Sequence, residues 1–187
     1  IDQVAGSATF AGQKLLDGSL SYRTQNVNPS VITDVAIHKA PVGTTSGAIT
    51  LSIAQTAKAQ QGELIFGQLQ TGGAVTLRLT GPKGSALLEL AAGATSKDVM
   101  VAVQGLADET GLTAAMVDPT DPTQGVRLLT EDYGSAASIT VDFISGTVAD
   151  LPLQNAAGAA AAADSGADIE LTINGSHVVG QGLVAHY

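Results

Sequence analysis

Apolar and polar residues alternate along several short stretches of the chain, and this period of two residues is typical of half-buried β-strands. The alternation predicts strands at Val31–Ile37, Ile49–Ile53, Glu63–Leu69, Thr76–Thr80, Ser85–Leu90, Leu112–Val117, Gly125–Thr130, Ser138–Ile144 and Ile169–Ile173. Residues 54–62 permit a helix that would end at Gly62. The pattern therefore predicts a chain built mainly of short strands.

One amphipathic helix is predicted between the strands. Thr95 or Ser96 can cap its N-terminus, and Asp98 lies in the first turn, where the helix dipole favours a carboxylate. Apolar residues follow at the spacing i, i+4 and i+7, namely Val99, Val103 and Leu106. Gly105 weakens the helix by about 1 kcal/mol relative to Ala, and Gly111 is a natural stop signal.

Two glycine-containing turns predict β-hairpins. Gly81-Pro82-Lys83-Gly84 separates two alternating runs, which predicts a hairpin with a four-residue loop. Asn174-Gly175 is the strongest short hairpin signal, because both residues tolerate a positive φ angle. It predicts a type I′ turn from which the strand within Val178–Tyr187 returns.

The order of predicted elements over residues 75–144 is β-β-α-β-β-β. We therefore expect an α+β fold, mainly antiparallel β, of one or more small β-rich domains with a short helix. The hairpin that begins at Ile169 resembles the first hairpin of this unit. Because a lone two-stranded hairpin is marginal in water, we expect Ile169–Ile173 to dock onto the strands around Ile37 and Ile49–Ile53.

The predicted segments divide the chain into five regions. Residues 1–20 carry apolar positions at helical spacing and then an Asp-Gly turn, and residues 154–168 are of low complexity, rich in Ala and Gly. The regions are the end of a helix and a turn (1–20), a β-rich connecting region (21–74), the β-β-α-β-β-β unit (75–150), a flexible linker or surface loop (151–168) and a second unit that begins at 169 and is cut off at 187.

Composition excludes several classes of protein. The chain has 187 residues and a formal net charge of −9, from 17 acidic and 8 basic side chains. It contains no cysteine, which excludes disulfide scaffolds, cysteine-based zinc sites and thiol nucleophiles. Dispersed basic residues in an acidic chain make a poor nucleic-acid surface, and no apolar run approaches the roughly 18 residues of a membrane helix.

The candidate chemical residues do not form a known motif. The histidines are His38, His177 and His186, and none has the spacing of a helical metal pair. Asp118, Asp121, Glu131 and Asp132 cluster in a loop region, but prolines interrupt the spacing that an EF-hand needs. We therefore expect no catalytic, cofactor or metal site, and a solvated acidic loop.

Four short motifs are also expected to be structural. Neither Gly180-Gln181-Gly182 nor the Gly81–Gly84 loop has the spacing of a phosphate-binding loop. Asn174-Gly175-Ser176 fits a glycan acceptor sequence, but it lies in the predicted two-residue turn. Asn28-Pro29-Ser30 is blocked as an acceptor by its proline.

The first twenty residues, IDQVAGSATFAGQKLLDGSL, resemble bacterial flagellin at the point where its first long core helix gives way to the variable outer region. The family pattern F-N-G-x-K-L-L-D-G-S is matched by Phe10, Gly12, Lys14, Leu15, Leu16, Asp17, Gly18 and Ser19. Ala11 stands where Asn is common. The resemblance implies the outer part of a filament subunit.

Residues 76–144 also resemble the flagellin unit called hook IN, after an Ile-Asn pair that precedes the hairpin glycine. Leu79-Thr80 stands at that position here, whereas residues 168–175, DIELTING, keep the pair as Ile173-Asn174. The two resemblances together cover about half of the chain and agree with each other.

The resemblance implies a structural, non-enzymatic protein that is secreted and lies in the extracellular flagellar filament. Its partners would be other flagellin subunits, bound through terminal helices that are absent here, and an export chaperone for the full-length chain. The present chain begins without Met, so we expect an excised fragment. We also expect this fragment to be monomeric and to have no nucleic-acid or membrane partner. The alternatives are a filament-cap or hook-associated protein and a cell-surface adhesin or glycan-binding β-module.

Overall fold

A short strand pair is the regular structure described near the N-terminus. The computed structural model describes residues 9–10, 13–14, 24–38, 49–67 and 73–187, and the chain divides into two units, Ile1–Ile49 and Thr50–Tyr187. In the first unit, strands β1 (Thr9–Phe10) and β2 (Gln13–Lys14) form an antiparallel pair. The rest of the helix end and turn predicted over residues 1–20 lies outside the described residues.

The strand predicted over Val31–Ile37 is wrong. Residues 32–38 have no strand conformation, and Val31, Val35 and Ile37 are exposed. A turn closes just before them, where the amides of Val31 and Ile32 both donate to the carbonyl of Asn28. Alternation of apolar residues predicts a strand correctly only where a partner strand accepts its backbone hydrogen bonds.

The second unit contains the other described helices and strands. In chain order its elements are β3 (Ile53–Ala57), β4 (Glu63–Phe66), β5 (Val75–Gly81), β6 (Gly84–Leu90), helix α1 (Ser96–Gln104), the single-turn helix α2 (Ala107–Thr110), β7 (Leu112–Met116), a 3-10 turn (Pro122–Gln124), β8 (Val126–Thr130), β9 (Ser138–Ser145), β10 (Leu153–Asn155), β11 (Ala163–Ser165), β12 (Glu170–Ile173) and β13 (Ser176–Val179). The fold is α+β and mainly antiparallel β, as predicted.

Two four-stranded antiparallel sheets enclose one hydrophobic core. Their strand orders are β10-β4-β8-β7 and β11-β9-β5-β6. Both sheets alternate buried and exposed positions and point their buried residues into the same cluster, which includes Leu64, Phe66, Leu77, Leu128 and Ile139. We call this part of the molecule, residues 63–165, the body.

A third sheet has the order β13-β12-β3, and we call it the small sheet. Strand β12 pairs with both neighbours, so the predicted docking of the hairpin is confirmed. Its partner β3 meets the predicted segment Ile49–Ile53 only at Ile53, and the other predicted partner, around Ile37, is not a strand. Asn174 and Gly175 have φ angles of 51° and 82°, which confirms the type I′ turn. Asn174 also holds the residue just before β3. Its backbone amide donates to the carbonyl of Ser52 at 2.9 Å, and its Oδ1 atom accepts a hydrogen bond from the backbone amide of Ser52 at 2.9 Å.

Helix α1 has the cap that the spacing predicts. Thr95 is the N-cap, and it exchanges hydrogen bonds with Asp98 in a capping box. Val99 and Val103 are fully buried in the core, and Leu106 packs against it. The sequence pattern predicts that Gly105 weakens the helix. In the structure Gly105 follows the last helical residue and is the C-cap, so it does not lie in the helix interior.

The turn residues refine two further predictions. Gly111 has a φ angle of 69° and ends α2, in agreement with its predicted role as a stop. Gly81 and Gly84 pair with each other, so the β5–β6 hairpin has a two-residue turn at Pro82-Lys83, not a four-residue loop.

Two segments predicted as helix-permissive or as linker form strands. The strand predicted over Ile49–Ile53 begins only at Ile53. The residues that follow, predicted as helix-permissive, continue this strand and pair with β12. Hydrogen bonding to the neighbouring strand outweighs their weak helix propensity. In the Ala/Gly-rich segment, β10 pairs with β4 and β11 pairs with β9. The region predicted as a flexible linker or surface loop, residues 151–168, thus contains two short edge strands of the body.

The burial of α1 gives a test of the core. We expect Val103→Ala to lower the free energy of unfolding by about 1–2.5 kcal/mol, because two methyl groups leave a packed site. Val101 lies on the same helix and is 56% exposed, so Val101→Ala serves as a matched control with little effect. Urea denaturation followed by circular dichroism measures both, and equal effects would contradict the packing.

The position of β12 gives a second test. Because β12 is the central strand of the small sheet, its amides should exchange slowly. We expect the amides of Leu171 and Ile173 to be protected to a degree comparable with those of Leu77 and Leu79 in hydrogen-exchange NMR. Exchange at the rates of an unstructured peptide would show that the hairpin is undocked.

Candidate functional site

The three histidines are exposed. His177 lies on β13, where its Nε2 atom is 3.3 Å from the carboxylate of Glu170 on β12. His186 lies near the end of the chain, and His38 belongs to the first unit. Within the described ranges there is no group of three or more His, Asp or Glu side chains that could hold a metal ion.

The acidic residues of the 118–132 region are not brought together. Asp118 accepts hydrogen bonds from the amide and hydroxyl of Thr120, and Asp121 accepts the same pair from Thr123. These hydroxyl donors lower the pKa of both carboxyl groups. Each aspartate thus stabilises its own turn, an Asx-type arrangement that needs no ligand.

Glu131 and Asp132 both lie near Lys83, and the interaction of Glu131 with the lysine is the larger one. The carboxylate of Glu131 forms an ion pair with Lys83 at the tip of the β5–β6 hairpin, and this hydrogen bond raises the pKa of the lysine. The backbone carbonyl of Asp132 accepts a hydrogen bond of 2.7 Å from the hydroxyl of Thr130. The acidic residues seen in the sequence therefore form local structural contacts, with Asp118 next to Asp121 and with Glu131 and Asp132 both near Lys83.

The remaining motifs of the sequence also have structural roles. The Oδ1 atom of Asn28 accepts a hydrogen bond from the backbone amide of Ser30 at 3.0 Å. The Gly81–Gly84 segment closes the β5–β6 hairpin. The side chain of Asn174 is engaged by Ser52. Gly180 and Gly182 lie in the turn after β13, where Gly182 donates its amide to Asp168 at 2.7 Å.

A groove of about 540 Å³ lies beside the start of β4 and the end of β11. Glu63, Tyr133, Asn155 and Asp164 are among its lining residues. Two of its acidic side chains are engaged within the chain. The Oε1 atom of Glu63 lies 2.9 Å from the Nε atom of Arg127, and the carboxylate of Asp164 accepts a hydrogen bond from the backbone amide of Glu63. The side chain of Asn155 accepts backbone amides of the turn that follows it.

A polar junction that no sequence motif indicates is centred on Asp168. Its Oδ1 atom accepts hydrogen bonds from the backbone amides of Ser135 at 3.1 Å and Gly182 at 2.7 Å. Its Oδ2 atom accepts a hydrogen bond from the Ser135 hydroxyl at 2.5 Å. These bonds lower the pKa of Asp168, with the Ser135 hydroxyl as the largest contribution. The donors lie 33 and 14 residues away in the chain, so no local spacing predicts them.

The helices of the described residues include none that is long and apolar enough to cross a membrane.

Comparisons with known proteins identify the fold. No family model and no curated protein matches the sequence. Solved structures with a similar arrangement include domains of the flagellar cap protein FliD. The chain is similar to the D2-D3 domains of the flagellar cap protein FliD from Escherichia coli, with 14% identity and a TM-score of 0.54 over 75% of this chain and 79% of that one.

The same domains of a second organism give a consistent result. The FliD D2-D3 domains from Serratia marcescens are 18% identical to this chain, with a TM-score of 0.51 over 73% of this chain and 80% of that one. At these identities the similarity establishes a shared fold.

The capping box gives a test of pH dependence. The Thr95 hydroxyl and amide lower the pKa of Asp98 from its ordinary value of 3.8. A lowered pKa contributes stability that is present above the unfolded value and is lost as the pH falls through the folded value. We therefore expect the free energy of unfolding to decrease below about pH 4, and Asp98→Asn to reduce that decrease.

Urea denaturation at pH 6 and pH 3 measures this difference. Asp142→Asn is the matched control, because Asp142 is an exposed aspartate on β9 and is not part of the capping box. An acid-induced loss of stability that is identical in Asp98→Asn and in the unmodified chain would contradict the role of the capping box.

Proposed function

We propose that this chain is the outer, surface-exposed domain of a structural subunit of the bacterial flagellum, with no catalytic role. Two independent observations support the proposal. The fold is similar to domains of a flagellar protein, and the sequence resembles flagellin at residues 1–20 and 76–144. The exposed histidines and the internally bonded carboxylates are consistent with a structural role.

Flagellin is the leading candidate for the intact protein. The observation that carries this choice is the segment FAGQKLLDGS at residues 10–19, which matches the entrance to the flagellin outer region. In this proposal the intact chain assembles with other flagellin subunits through terminal helices outside the present sequence. It is exported, with an export chaperone as a further partner, and lies in the extracellular filament.

The second candidate is the filament-cap protein. The observation that favours it is the fold, because the similar solved structures are domains of the cap protein FliD. Both candidates place the body and the small sheet at the outside of a flagellar assembly. They differ in location, since a flagellin domain would be repeated along the filament and a cap domain would be confined to its tip.

The proposed role is mechanical and depends on surface properties. The assembling core would display the domain, and the domain would set solubility, lateral contacts and surface identity. The net charge of −9 would repel neighbouring copies over a Debye length of about 8–10 Å at physiological salt. The excess of acidic side chains therefore suits a domain that is displayed at high local density without aggregating.

Immunogold electron microscopy separates the two candidates. We expect an antiserum raised against this chain to label flagella of the source bacterium along their whole length. Label confined to the filament tip would identify the cap protein, and flagella without label would overturn the proposal. The same antiserum, depleted by adsorption on the purified chain, is the control for specificity.

The assembly state gives a further prediction. We expect the isolated chain to remain soluble and not to form filaments, because the polymerising helices lie outside it. Sedimentation velocity at moderate protein concentration measures this directly. Long polymers would contradict the proposal, whereas a weak dimer is compatible with contacts between outer domains.

A further inference from the structure

The chain passes between the body and the small sheet twice. Residues 58–62 lead from β3 of the small sheet to β4 of the body, and residues 166–169 lead from β11 of the body back to β12 of the small sheet. The two passages are bridged where the Gln60 amide donates to the Ala167 carbonyl at 2.8 Å and the Ala167 amide donates to the Gln60 carbonyl at 3.1 Å. We call this crossing the joint.

Backbones meet at the joint without side chains between them. A Cβ atom on Gly134 would lie 2.4 Å from the Oδ1 atom of Asp168 and 2.6 Å from the Cα atom of Gly182. One on Gly166 would lie 2.2 Å from the carbonyl oxygen of Gln60. At these two contact points there is no room for a further side chain, so the hydrogen bonds found there contribute to the orientation of the two parts.

Asp168 supplies a side-chain contact between the two parts, in addition to the backbone hydrogen bonds that link the body loop to the joint, from Gly134 to Gln60 and from Gly166 to Ala137 at 2.9 Å each. Ser135 belongs to the loop between β8 and β9 of the body, and Gly182 belongs to the turn that follows β13. Among the hydrogen bonds of the described residues, those of Asp168 are the ones that connect the 131–137 loop with the 180–184 turn. One carboxylate therefore bridges a body loop and the small sheet.

We propose that Asp168 is a latch that fixes the orientation of the small sheet on the body, and that its removal converts the joint into a hinge. Hydrogen bonds to an ionised acceptor are stronger than neutral ones. The lowered pKa of Asp168 is consistent with an acceptor whose charged form is held by its donors. The inference concerns the isolated chain and does not depend on its role in a flagellum.

Spin-label distance measurements test the latch. The chain has no cysteine, so labels can be attached cleanly at Glu89→Cys on β6 of the body and Val179→Cys on β13, both exposed positions. Double electron–electron resonance should give a narrow distance distribution for the otherwise unchanged chain. We expect Asp168→Ala to broaden it about twofold or more, because the two parts can then move about the joint.

Hydrogen exchange provides a second readout on the same variant. The amides of Ser135 and Gly182 lose their acceptor, so their exchange should accelerate by about tenfold or more. The amides of Leu77 and Leu79 in the body core should keep their protection. This combination distinguishes a released latch from general unfolding.

Asp150→Ala is the matched control. Asp150 accepts the amide and hydroxyl of Thr147 at 2.8 Å each, which is the same chemistry confined to one loop of the body. It should leave the distance distribution unchanged. If Asp168→Ala also leaves it unchanged, the proposal is overturned. If Asp168→Ala unfolds the core, Ser135→Ala replaces it, because this change removes only the hydroxyl donor to Asp168. A distance distribution that stays unchanged in Ser135→Ala would then overturn the proposal.

Discussion

The body depends on strand pairing between segments that are distant in sequence. Strand β4 precedes the β5–β6 hairpin, yet it lies between β10 and β8 in the opposite sheet, and it supplies the fully buried Leu64 and Phe66. Strands β10 and β11 then close one edge of each sheet. The region 75–150 is therefore completed by residues on both sides of it, and its core forms only when these non-local contacts offset their loop-closure entropy.

The elements that the sequence predicts well are those whose determinants are local. Helix α1 is specified by the Thr95–Asp98 box and by the i, i+4 spacing of Val99 and Val103, and the β12–β13 turn is specified by Asn174-Gly175. Most of β3 and all of β10 and β11 escape prediction, because Ala, Gln and Ser carry little hydrophobic pattern. Their conformation follows from the backbone hydrogen bonds that a neighbouring strand offers.

The same distinction explains what could be foreseen of the candidate site. Asp98, Asp118 and Asp121 accept hydrogen bonds from residues two or three positions away, so short-range spacing accounts for them. Asp168 uses identical chemistry over long range, and neither its type nor its neighbours in the sequence reveal its partners. The acidic composition is thus partly a supply of acceptors for backbone amides in turns, in addition to a surface charge.

The turn between β10 and β11 has a consequence for protein engineering. Asn155 closes this turn by accepting the amides of Ala157 and Ala159, and a Cβ atom on Gly158 would meet only open space. The paired residues Gln154 and Ala160 already hold its two ends together. Each doubling of such a loop costs only about 0.6 kcal/mol in closure entropy, and neither sheet needs to change its pairing. The turn is therefore a natural position at which to insert a foreign peptide for display.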